Sequence, residues 1–247
     1  MGEPNRSVRV VAALAIVLAG AGWGRPSCAG ETERISSSTA TRDASPAAGA
    51  DRAESAPRLR LVWIDVLGSA PYAFRNASRE TSAILAGAGV QAAWTLGDAS
   101  TVTKEDELKI VLMPGAANGA RLPEHVMGGT RRGEPCPATW IYLSNVLWAL
   151  GLRDQAARHL SVHEEEQVAR ALGRVAAHEI VHAVAPGVRH SAHGLMAGKL
   201  GRADLIRDNV SLAPAEGGAL RAAVQLLDSA RAAQATPAAV SLAAGGR

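Results

Sequence analysis

In His178-Glu179-Ile180-Val181-His182 two imidazoles lie four residues apart, with a carboxylate next to the first. On a helix such residues share a face, so both rings can turn towards one ion. Imidazole nitrogen suits Zn2+, and Glu179 would stand beside that ion, able to take a proton from a water that the ion activates. The neighbouring residues supply the helix. Val168, Leu172, Val175, Ala176, Ile180 and Val184 form one apolar stripe at three- to four-residue spacing. Glu164, Glu165 and Glu166 load the first turn with the negative charge that a helix dipole favours, and Pro186-Gly187 ends the helix. The pattern predicts a helix from about Glu164 to Ala185. His190 follows in the turn and offers a third nitrogen, with His193 as the competing donor. Three histidines would leave the fourth position to water, which is what separates a catalytic zinc from a structural one.

From Ala177 to His182 and from His190 to Met196 the chain resembles the metzincin branch of the zincin metalloproteases. It has HExxH, a Gly-containing turn, a third His followed by Ser191, and a methionine, Met196, soon after, as in the matrixin arrangement. It is more similar still to small exported bacterial zincin-like proteins with an AHEIxH…HSxxG[IL]M signature. A weaker similarity covers roughly 58–225. The chain departs from the metzincin pattern in a longer connection, 183–189, between the second and third histidines. Ala185 stands at the usual turn glycine, Gly187 is displaced, and Val181 replaces a small residue. The resemblance implies a zincin fold with a mixed, mostly parallel sheet, an antiparallel edge strand and a long active-site helix beneath a cleft. It implies Zn2+ held by His178, His182 and His190, Glu179 as general base, and hydrolysis of peptide bonds in a peptide or protein substrate. It favours His190 over His193 as third ligand and makes Met196 an apolar floor under the ligands. A gluzincin-like third ligand would have to be Glu216.

The remaining chain must position these groups. Arg58–Val66, Val90–Leu96, Glu107–Met113 and Thr139–Ser144 read as strands, with Val126–Arg131 as a short edge strand. Asn76 reads as the cap of a helix through about Ala88, and Leu212–Gln234 as a closing helix with Leu220, Val224, Leu226 and Leu227 apolar. This order gives an α+β, α/β-like sandwich: one mixed sheet carrying helices on one face. The Val126–Thr130 segment is a place where an extended peptide could add to the sheet. Tyr142 reads as a sheet-face residue, His125, His159 and His163 as surface histidines, and Cys136, between two prolines, as a loop residue.

Composition bounds the function. At 47% hydrophobic and 20% charged, with two cysteines in 247 residues, the chain is neither a disulfide-stapled miniprotein nor a wholly disordered one. Aromatics are only 3%, so the core must be aliphatic. Arg6, Arg9 and Arg25 against Glu3 place +2 of the net +3 within the first 29 residues, and no basic face for nucleic acid remains. Those residues read as a secretory signal: Arg6 and Arg9, an apolar run Val10–Gly22, and Ser27 and Ala29 spaced for cleavage. The expected organisation is signal 1–29, disordered lead-in 30–57, folded domain 58–235 and flexible tail 236–247. The protein is then secreted or periplasmic without stable membrane contact, or anchored by residues 10–22 if the signal is retained. With no Gly-rich phosphate loop and no GxSxG, nucleotide and serine-hydrolase readings lack support. The competing readings are a zinc-binding pseudoenzyme or extracytoplasmic interaction protein on the same fold, and zinc-dependent hydrolysis of a non-peptide bond.

Overall fold

The computed structural model describes residues 56–115, 122–131, 138–152 and 159–235. The signal 1–29, all but the last two residues of the lead-in, Cys136 and the tail 236–247 lie outside the described residues. Alternation of apolar residues in Arg58–Asp65 (β1), Glu107–Met113 (β3) and Ala138–Tyr142 (β5) gives each strand one strongly buried face. With Gln91–Gly97 (β2) and Gly128–Arg131 (β4) they form a five-stranded sheet in the order β2-β1-β3-β5-β4. All pairs are parallel except β4 with β5, so the sheet is mixed and mostly parallel, with an antiparallel strand at one edge.

The register lines up Leu61 with Leu108, Trp63 with Ile110, Ile110 with Thr139, and Leu112 with Ile141. Apart from the buried Thr139, these side chains make a continuous apolar layer, and the helices Ala73–Gly87 (α1), Leu143–Ala149 (α2), Val162–Val184 (α3) and Pro214–Ala235 (α5) contribute to the same core. Each fully buried aliphatic side chain contributes about 1.5–3 kcal/mol relative to exposure. Three of the scarce aromatics meet in one place: Trp63, Phe74 and Trp94 have ring centroids 6.2–6.4 Å apart.

Helix α3 follows the predicted stripe, with Val168, Leu172, Val175, Ala176 and Ile180 buried. Its start is set by Ser161 and Glu164, whose side chains each bond the other's backbone N–H in a capping box. Three expectations need correction. Asn76 is not a cap: α1 already begins at Ala73, because Asp65 at the end of β1 accepts from Ser69 N and Ala70 N and turns the chain early. The strand expected to reach Ser144 ends at Tyr142 and passes directly into α2, a short apolar run being ambiguous between strand and helix. In α5, Leu220 and Val224 are buried, but Leu226 and Leu227 stay 73% and 42% exposed. A short helix, Arg202–Ile206 (α4), has no counterpart in the sequence reading; Asp204 caps it by accepting from Gly201 N at 3.0 Å.

Helix α3 is held by its crossing with α1. At Gly173 a Cβ would stand 2.6 Å from the Ala77 carbonyl oxygen and 2.9 Å from Glu80 Cβ, so backbone meets backbone there. Thr81 Oγ1 lies 2.9 Å from Ala77 O and 2.8 Å from Gly173 O, joining the two helices at that point. One residue on, Arg174 is 2% exposed and is satisfied by Glu80 Oε1 (2.8 Å), Asp204 O (3.0 Å) and Arg207 O (2.5 Å). Gly173→Ala would gain about 1 kcal/mol of helix propensity but overpack this contact at a cost of about 1–3 kcal/mol. Because the obstacle is backbone and cannot rotate aside, a net loss is expected, visible in a thermal melt as a Tm lowered by several degrees. An unchanged or raised Tm would show that the crossing relaxes freely.

Candidate metal centre

His178 and His182 stand one turn apart on α3 with their Nε2 atoms 3.2 Å apart, and His190 brings its Nε2 to 3.0 Å from that of His182. Ligand atoms of all three lie within 4.8 Å of one another. A tetrahedral ion bound to nitrogens at about 2.0–2.1 Å separates neighbouring donors by roughly 3.3 Å. The two spacings at His182 are close to that value, and the whole set within 4.8 Å could serve one ion. His178 Nδ1 lies 2.7 Å from the Leu195 carbonyl oxygen, which can only accept, so Nδ1 carries the proton. In the neutral ring Nε2 is then left with its lone pair towards the cluster. Burial holds the His178 pKa below the ordinary histidine value, against the opposing pull of the Leu195 bond and the Glu216 charge, which favours that neutral ring.

The third histidine depends on the loop after α3. Gly194, at φ +84°, allows a tight reversal in which Ala197 N donates to Gly194 O and Ser191 N donates to Met196 O. Ser191 Oγ donates to His193 O at 2.8 Å. The closed loop buries Leu195 and Met196, delivers the Leu195 carbonyl to His178 and carries His190 into the cluster. His193 is exposed and takes no part in it. Glu216 is likewise outside: its carboxylate accepts from Ala213 N at 2.8 Å and so caps the start of α5.

Glu179, 7% exposed, faces β4. Thr130 Oγ1 lies 2.8 Å from Glu179 Oε2 and 3.1 Å from the Glu179 carbonyl oxygen. Burial pushes the carboxyl pKa up, opposed by the Thr130 hydrogen bond and the charge of His190. Glu179, His178 and His190 line one cleft of about 220 Å3 with Met127, Gly128 and His125. His125 was expected on the surface; it is exposed, yet it sits on the cleft's rim, on a turn that Asn145 Nδ2 holds by donating to Pro123 O and Val126 O. Val126–Thr130 reads from the sequence only as an edge strand open to substrate; that Thr130 meets Glu179 and that His125 reaches the rim was not legible, since neither stands within the motif and only the sheet edge brings them to it. Tyr142 does not line the cleft, though burial and the Glu179 charge raise its pKa. His159 and His163 are exposed, and His163 pairs with Gln167 at 2.8 Å.

The chain matches no known protein-family profile, and no curated protein or solved structure is significantly similar to it. The assignment of chemistry therefore rests on this geometry. A divalent metal that prefers nitrogen donors should stabilise the wild-type fold by about 2.7 kcal/mol at a hundredfold excess over its dissociation constant. The matching rise in Tm should vanish in His182→Ala; an equal rise in that variant would place the ion elsewhere.

Proposed function

We propose that this protein is an exported zinc-dependent metallopeptidase of metzincin-like, zincin-type architecture that hydrolyses peptide bonds in a peptide or protein substrate. The convergence of His178, His182 and His190, with His178 and His190 lining one cleft together with Glu179, carries this reading. Three imidazoles and no carboxylate in the donor set favour zinc over the oxygen-seeking Ca2+ and Mg2+. Bound there, zinc supplies a Lewis acid that makes water more acidic near neutral pH and steadies negative charge developing on a carbonyl. Glu179, next to His178 on the helix, accepts the proton of the attacking water and returns it to the leaving amine. Its buried seat, with one hydroxyl donor, suits a group that must both take and give a proton. The Leu195 carbonyl holds the His178 ring in its ligating tautomer. Strand β4 ends the sheet beside the cleft, so an extended substrate could add along it. Export follows from the signal-like first 29 residues; among the described residues no helix is long and apolar enough to cross a membrane.

Elemental analysis of the purified protein tests the site. One zinc per chain is expected in the wild type and in His193→Ala, and none in His190→Ala. Peptide hydrolysis should then fall by about 10²–10⁴-fold in Glu179→Gln, with zinc retained. Zinc binding without any Glu179-dependent hydrolysis would turn the assignment towards a metal-binding interaction protein, and no zinc in the wild type would end the metallopeptidase reading.

A further inference from the structure

The carboxylate of Glu179 is held by the edge of the sheet as well as by its own helix. Gly128 and Thr130 are two residues apart on β4 and so present the same face to α3. Gly128 pairs with Ile141 and Thr130 with Thr139, both buried on the helix-covered side, which confirms the facing. Against that face the Glu179 side chain lies flat. A Cβ on Gly128 would stand 2.7 Å from Glu179 Cγ, 2.7 Å from Oε1 and 3.0 Å from Cδ, so the carboxylate occupies the space of the missing side chain. Thr130 takes the other oxygen: its hydroxyl donates to Oε2 at 2.8 Å, and the Glu179 backbone carbonyl lies within reach at 3.1 Å. Oε1 makes no hydrogen bond to any described residue, and Glu179 is one of the residues that line the cleft. The two oxygens are thus unequal: one is bound to the strand and one is left to meet water or substrate.

Resting on the metallopeptidase reading, we infer that Thr130 is a positioning residue which, with Gly128 as its seat, holds one oxygen of Glu179 so that the other is aimed for proton transfer. A side chain with three rotatable bonds would otherwise spread over several rotamers. A misplacement of about 1 Å at a reacting group can cost on the order of a hundredfold in rate. The requirement is specific. Serine at 130 keeps the donor; valine keeps the shape and volume but cannot donate.

Two readouts on Thr130→Val and Thr130→Ser test this. The first needs neither metal nor activity: in protein carrying 13C at the glutamate δ-carbon, the Glu179 carboxyl resonance is assigned by its loss in Glu179→Gln. It is expected to move in Thr130→Val and to return in Thr130→Ser. The second is steady-state peptide hydrolysis: kcat is expected to fall by about 10- to 100-fold in Thr130→Val with KM and zinc content unchanged, and to recover most of the way in Thr130→Ser. A resonance that stays put in Thr130→Val, or a kcat equal to wild type in that variant, overturns the inference. If the resonance responds as expected but the wild type hydrolyses no peptide, the positioning contact stands and the metallopeptidase reading is what fails. Gly128→Ala gives an independent check, since its Cβ must displace the carboxylate and is expected to shift the same resonance even with Thr130 intact.

Discussion

The hydrogen bond between His178 Nδ1 and the Leu195 carbonyl ties together the two parts of the chain from which the candidate metal centre is built. A helix alone can bring His178 and His182 to one face, but it leaves the rotation of each ring and the choice of protonated nitrogen open. The carbonyl constrains both for His178, because it accepts only and stands 2.7 Å from Nδ1. The same bond pins the loop that carries His190. Leu195 and Met196 are buried beside it, and Ser191 closes the loop by donating to Met196 O, so the third imidazole is delivered by a loop with a packed base. With the His178 ring fixed in this way, the three imidazole nitrogens are gathered where one cation could be held.

Helix α3 meets two demands that conflict in most helices. It is buried for much of its length, yet it carries His178, Glu179 and Arg174 inside the fold. Each of those polar groups is satisfied by a different neighbour: the loop carbonyl of Leu195, the hydroxyl of Thr130, and the Glu80 carboxylate with two carbonyls from the α4 region. An unpaired buried guanidinium would cost several kcal/mol, so the carbonyls of Asp204 and Arg207 bind the segment to the helix in addition to the packing of the buried Leu205. The small residues Ala169, Ala171, Gly173, Ala176 and Ala177 let α1 and the sheet approach closely, which compensates for a core almost without aromatics.

The edge strand β4 is the third element of the centre. Parallel pairing carries the sheet from β2 to β5, and only the antiparallel return of β4 lays a strand alongside the helix at the level of Glu179. Because strand side chains alternate, Gly128 and Thr130 face the helix together while Gly129 and Arg131 do not. A one-residue slip in register would turn both away and leave the carboxylate with no partner from the sheet.

Much of the fold was legible because it follows from local pattern. The apolar stripe of α3 and its charged first turn, the alternation in β1 and β3, and the His178-Glu179-xx-His182 spacing are all properties of short stretches read at periods of 3.6 or 2. Where local signals were weak, the reading slipped: Asn76 lost its capping role to a turn built by Asp65, α2 replaced the end of a strand, and Leu226 and Leu227 had no surface to pack on. The sequence by itself determined a helix with two histidines and a glutamate, followed by two further histidines in reach. It could not decide between His190 and His193, nor that Thr130 and the rim histidine His125 border the site. Those were decided by tertiary structure, since they depend on a loop closing through Gly194 and on a strand paired from the far side of the domain. Contacts between segments distant in the chain leave no periodic trace in either one.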